Sequence, residues 1–234
     1  MSLAAKVGVL GLASLCSWLW YKLYQFYRVK YEFGGEFTTR IIAAIHGLIC
    51  IILAYLSLRF GPDPLSEPGE PNTLLHYITM VISLGYFIYD FVWCLKYQPE
   101  VKIILAHHFG SILSLTFILC CGFSGAEAIG GLGSMELTNP LLQARWFLRT
   151  FEKRDTVLYQ IIEYSFFALF LTVRLGYGSY LLFAIITSEK TLFMVKSCTL
   201  IMYVISLALI YNIVEFIKKK INDRSTVDDD VKLS

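Results

Sequence analysis

The chain has 234 residues, of which 56% are hydrophobic, 15% aromatic and only 16% charged, with a net charge of +2 and a mean hydropathy of +0.61. Water-soluble domains carry about 25% charged residues, so this chain has too little charged surface to cover itself in water. The small net charge also excludes an electrostatic grip on nucleic acid.

In chain order, apolar stretches predict seven transmembrane helices, at 7–27, 40–60, 74–95, 103–123, 129–149, 157–186 and 192–216. Each has the roughly 20 residues needed to cross a hydrocarbon core of about 30 Å. The first stretch also has the charged start and apolar run of a secretory signal. No A-x-A cleavage site follows it, so it reads as a retained span. The fifth is interrupted by Gly130, Gly131, Gly133 and the pair Asn139-Pro140, which predicts a broken or partly re-entrant helix. Residues 218–234 end in the acidic run Asp228, Asp229 and Asp230 and predict a disordered, solvated tail.

Basic residues gather in alternate loops: Arg28 and Lys30, then Lys96 and Lys102, then Arg149, Lys153 and Arg154, and finally Lys218, Lys219 and Lys220. The positive-inside rule makes these ends cytosolic, with the N-terminus lumenal and the C-terminus cytosolic. The expected location is the endoplasmic reticulum or another endomembrane.

Ionisable groups at membrane depth cost about 2.5–3.5 kcal/mol on insertion scales, so each needs a partner or a role. From the predicted ends and the helical rise, His46, Asp90, His107, His108 and Glu163 all lie about 6–9 Å below the cytosolic surface. Neighbouring helical positions point about 100° apart. His107 has Ser111 and Ser114 on its face, whereas His108 has Ile112 and Leu115, so His107 is the expected cavity-facing imidazole. Tyr86 stands one turn before Asp90, and a His107–Asp90–Tyr86 group would orient an imidazole as base or nucleophile. Glu136 and Arg174 are expected to neutralise each other deeper in the membrane.

The six cysteines, all inside apolar stretches with no C-x-x-C pair, read as buried hydrophobes. Four histidines without H-x-x-H clusters predict no metal. The glycines of 130–133 lack a following Lys-Ser/Thr, so they read as helix-packing positions and not a phosphate loop.

Three strings carry a resemblance: Gly85 to Phe91 (GYFIYDF), Leu105 to His108 (LAHH), and Glu136 to Arg149 (ELTNPLLQARWFLR). Together they resemble the TLC domain, shared by TRAM, the Lag1 ceramide synthases and the neuronal ceroid lipofuscinosis protein eight, over about residues 37–217. The resemblance implies an all-α fold: a six-helix membrane barrel with an extra N-terminal span (residues 1–36 with its linker) and a cavity that holds an acyl chain. In the synthases the first histidine of the pair takes an acyl group from acyl-CoA. That role would fall on His107, with His108 beside it. The synthase Asp-x-x-Asp motif is altered here, with Glu136 and Asn139 near its two positions, and Ser111 stands where a threonine is usual.

The expected function is binding, sensing or handling of membrane lipids, with membrane lipids or acyl chains as partners and no resident cofactor. The candidate substrate-binding residues are Glu136, Asn139, Arg174, His46, Tyr86, Ser111 and Glu163. One alternative is a synthase-like N-acyltransferase with acyl-CoA as co-substrate and His107, His108 and Asp90 as catalytic residues. A second is a cargo adaptor of the endoplasmic reticulum, acting through its loops and tail.

Overall fold

Without water in the hydrocarbon region, an apolar chain must bond its own backbone, and helices do so within one segment. A computed structural model describes residues 1–98 and 101–232, with side chains through residue 220. Its long helices are α1 (Leu3–Tyr31), α2 (Gly35–Arg59), α3 (Leu74–Tyr97), α4 (Lys102–Cys121) and α9 (Phe193–Lys232). The short ones are α5 (Gly125–Glu136), α6 (Asn139–Thr150), α7 (Val157–Leu171) and α8 (Gly178–Thr187), the last two joined by a π-helical segment at Thr172–Tyr177. Among the described residues, 6 helices are long and apolar enough to cross a membrane, counting Val157–Thr187 as one.

The expected fifth span is not one helix. Pro140 brings no N–H to continue the ladder, and the chain breaks between α5 and α6. Both pieces nevertheless follow α2 from end to end. A Cβ on Gly133 would stand 2.6 Å from that of Ala54, Asn139 Nδ2 donates to the Ala43 carbonyl at 3.1 Å, and Phe147 and Phe151 pack on Phe37. The broken pair therefore makes a further pass, antiparallel to α2.

Neighbours close into a ring. Helix α2 touches α3, α3 touches α4, and α4 touches α9; α9 packs on α8, α7 and α8 pack on α6 and α5, and these return to α2. This is a six-walled helical barrel. Helix α1 lies outside it against α3, where Gly85 lets the backbones meet: a Cβ there would come within 2.5 Å of Cys16 Cβ and 2.9 Å of the Ala13 carbonyl. Small residues serve this purpose where lipid supplies no hydrophobic drive between helices.

The barrel end away from the basic loops is capped by residues 60–73. Asn72 N donates to the Gly122 carbonyl at 2.8 Å and Ser124 N to the Glu70 carbonyl at 2.9 Å. Lys190 pairs with Glu70 at 2.5 Å, and Gly69 N donates to Glu127 Oε1 at 2.6 Å. At the opposite end α9 continues helical through Lys232, where the sequence predicts a disordered tail from 218. No glycine or proline occurs between residues 193 and 232 to stop it.

Candidate functional site

The barrel encloses two adjoining spaces. A chamber with a cluster of polar side chains opens toward the basic end, lined among others by Arg40, Tyr86, Asp90, Cys94, His107 and His108. A mainly apolar cavity, with Glu127 in its wall, continues toward the capped end between α4, α5, α8 and α9. Phe87, Met135 and Arg174 line both. One stripe of α4 follows the whole path: Ile104, His107 and His108 in the chamber, then Ser111, Ser114, Leu115 and Ile118 in the apolar cavity.

Asp90 meets the second histidine, not the first. His108 Nε2 lies 3.2 Å from Asp90 Oδ2, while Thr39 Oγ1 donates to Asp90 Oδ1 at 3.4 Å and sits 3.2 Å from the Tyr89 hydroxyl. The expected His107–Asp90–Tyr86 group is therefore a His108–Asp90–Thr39 group. The physical reason is the 100° step between adjacent positions: α3 lies on the His108 side of α4. His107 lines the chamber with its Nδ1 buried and unbonded. Its ring stands edge-on to His108 at 5.7 Å and to Phe87 at 6.4 Å. The Ser111 hydroxyl is turned back onto the His107 carbonyl at 2.9 Å, so it offers the cavity no free donor.

His46 is fully buried behind the chamber wall. Its ring stacks on Tyr86 at 3.8 Å and 7°, Nε2 lies 3.3 Å from Ser83 Oγ, and Nδ1 lies 3.7 Å from Glu136 Oε2. Glu136 also accepts from Asn139 Nδ2 at 2.9 Å. Asn139 Oδ1 accepts from Gln143 at 2.6 Å, and Gln143 accepts from Arg40 at 3.5 Å. Glu136 is thus bound to α2 and to the break between α5 and α6. Its expected ion pair with Arg174 is not formed, because Arg174 Nη1 donates to Ser206 Oγ at 2.9 Å instead.

Glu163 does not join the histidines. It is 1% exposed and accepts from Arg145 Nε at 2.9 Å and from Tyr159 OH at 2.7 Å, with the Lys220 ammonium on its other oxygen. It ties α6, α7 and α9 together at the basic end. Spacing predicts one depth for Glu163 and the histidines, but helix rotation leaves Glu163 out of the chamber lining.

Other members of the site were not singled out from the sequence. Cys94, one turn after Asp90, joins Asp90 and His108 with donor atoms within 4.8 Å of one another, a carboxylate–thiol–imidazole set of the kind that holds zinc. Asp90 and His108 also satisfy each other directly. Its i,i+4 spacing was visible, but His108 comes from another helix. Gln143 lay one turn after Asn139, whereas Thr39 and Ser206 carried no signal.

The sequence profile of the TLC domain matches residues 36–217, more than half of the chain. The chain belongs to the TLC domain family. A TLC domain-containing protein of Acanthamoeba polyphaga mimivirus is 28% identical over 119 residues, 49% of this chain and 57% of that protein. The chain thus spans little over half the length of that curated relative. The matched residues include the His107–His108 pair, Glu136 and Asn139 and most of the lining of the two spaces.

Proposed function

We propose that this TLC-domain protein holds a long-chain membrane lipid inside its barrel, headgroup in the chamber and chain in the apolar cavity, and so contributes to lipid homeostasis in an endomembrane such as the endoplasmic reticulum. Within the family, the strings at residues 85–91, 105–108 and 136–149 together resemble TLC domain-containing protein 5. The observation that carries the reading is the chamber with its polar cluster and the adjoining, mainly apolar cavity, with shared walls at Phe87, Met135 and Arg174. Such a space is polar where a headgroup sits and apolar where a chain sits. Its serines at 111, 114 and 134 have spent their donors on helix carbonyls.

Lipid analysis of the detergent-purified protein tests this. Gly131 lines the apolar cavity, and a Cβ there meets only Leu181, at 3.8 Å. Gly131→Phe places a ring in the space. Wild-type protein should retain a stoichiometric long-chain lipid that Gly131→Phe loses. Wild-type protein free of lipid would overturn the reading.

A second reading is favoured by the unbonded Nδ1 of His107 beside the Asp90–His108 pair. In this reading His107 attacks the thioester carbonyl of acyl-CoA, coenzyme A leaves as the thiol, and an amine takes the acyl group from the imidazole. Intact mass after incubation with palmitoyl-CoA should show a hydroxylamine-sensitive acyl increment that His107→Ala abolishes. An unchanged mass in wild type would count against acyl transfer and leave lipid holding untouched.

A further inference from the structure

Arg174 stands at the waist between the two spaces, on the π-helical segment Thr172–Tyr177 that interrupts α7 and α8. Such segments are rare and recur at functional sites. The residue is 9% exposed, and a buried cation costs several kcal/mol unless it is paired. Among the described residues no carboxylate forms an ion pair with it: Asp90 is taken by His108, Glu136 by Asn139 and His46, and Glu163 by Arg145 and Lys220. Its direct contacts are neutral: Ser206 Oγ on Nη1 at 2.9 Å and the Phe170 ring at 4.2 Å, with the Glu136 carboxylate acting on it only through space, beyond ion-pair reach. Its Nε is buried with no hydrogen-bond partner.

With Nη1 occupied, the edge left free is Nε with Nη2, which takes a carboxylate through two parallel bonds. Below it the apolar cavity runs along α8 to Ile185 and along α9 from Ser206 back to Val195. Each is 11 residues from its starting point, about 16 Å at the helical rise. That is about half of a hydrocarbon core of about 30 Å, the reach of one leaflet's acyl chain. A single guanidinium suits a monoanion, since a phosphate dianion would bring a second charge with no second cation at the waist.

We propose that Arg174 anchors the carboxylate of a non-esterified long-chain fatty acid whose chain fills the apolar cavity. This names the ligand class for the lipid-holding reading above and rests on it. Ser206 and Phe170 orient the guanidinium so that its free edge faces the carboxylate. The π-helical segment sets Arg174 on the cavity side of the span.

The test is equilibrium binding of palmitate, methyl palmitate and lysophosphatidate to the full chain in nanodiscs. Wild type should bind palmitate about 10–100-fold more tightly than methyl palmitate, the worth of charge-assisted hydrogen bonds. Arg174→Gln should lose that preference, and Arg174→Lys should keep part of it. Because the acid and ester are compared on the same wild-type protein, a poorly folded variant cannot imitate the result. Equal binding of acid and ester, both blocked by Gly131→Phe, would overturn the carboxylate anchor while keeping the lipid cavity. Arg174-dependent binding of lysophosphatidate without palmitate would overturn the choice of carboxylate. Binding of none of the three would sink the lipid-holding reading itself.

Discussion

At the scale of single residues, the buried polar groups separate into pairs that hold helices together and groups that face the cavity. Asp90 belongs to both kinds. Removing it leaves the His108 ring, 8% exposed, without its acceptor, and an orphaned buried polar group costs about 1–3 kcal/mol. Asp90→Ala should therefore lower the thermal midpoint in detergent, and Asp90→Asn, which keeps an acceptor oxygen, should recover much of the loss. Glu163 is purely a tie. Glu163→Ala strands the Arg145 guanidinium, whose side chain is 12% exposed, and breaking a buried ion pair from one side costs about 3–5 kcal/mol. The expected outcome is a larger fall in thermal midpoint than for Asp90→Ala, with palmitate affinity retained, since Glu163 does not line either space.

At the scale of elements, the irregular pieces position the site. The break between α5 and α6 lets Glu136 and Asn139 both reach α2, and the π-helical segment aims Arg174. Deleting Val173 should return that stretch to α-helical register and turn Arg174 by about 100°. Palmitate affinity should then fall about as far as in Arg174→Gln, about 10–100-fold, read in the same nanodisc assay. The cap over the far end has a turn closed by Asp63, whose carboxylate accepts from Ser66 N at 2.9 Å and Leu65 N at 2.8 Å. Those backbone donors, Ser66 first, hold the Asp63 carboxyl below its usual range. A depressed folded value means the turn's stability is present above the unfolded value of about 3.9 and is lost as pH falls through the folded one. Limited proteolysis with an acid protease should therefore cut residues 61–72 faster as pH drops below about 4, and Asp63→Ala should be cut fast at every pH tested.

At the scale of the whole molecule, the six-walled barrel makes the cavity and α1 braces it from outside. No residue of α1 lines either space. Gly85→Leu should push α1 from α3 and cost about 1–3 kcal/mol as overpacking, lowering the thermal midpoint. Palmitate binding should stay within about twofold, a change well under 1.4 kcal/mol.

Much of this architecture was legible beforehand. Composition alone placed the chain in lipid, apolar length set six of the passes, and Asn139-Pro140 marked the break in the remaining one, because these signals are local and the bilayer allows few backbone solutions. The LAHH and ELTNP strings point to the family without reference to the fold. Partners across helices were not legible in the same way. Depth follows from residue counting, but rotation about each axis follows from packing, so spacing grouped Glu163 with His46, His107 and Asp90 although it points elsewhere. Rotation also decided that Asp90 holds His108 and that Arg174 lines both spaces with no direct ion pair among the described residues. What the sequence by itself determined was the solvent, the passes and the set of polar residues at depth. Only the tertiary structure decided which of them meet, because that depends on six helices turning their faces inward together.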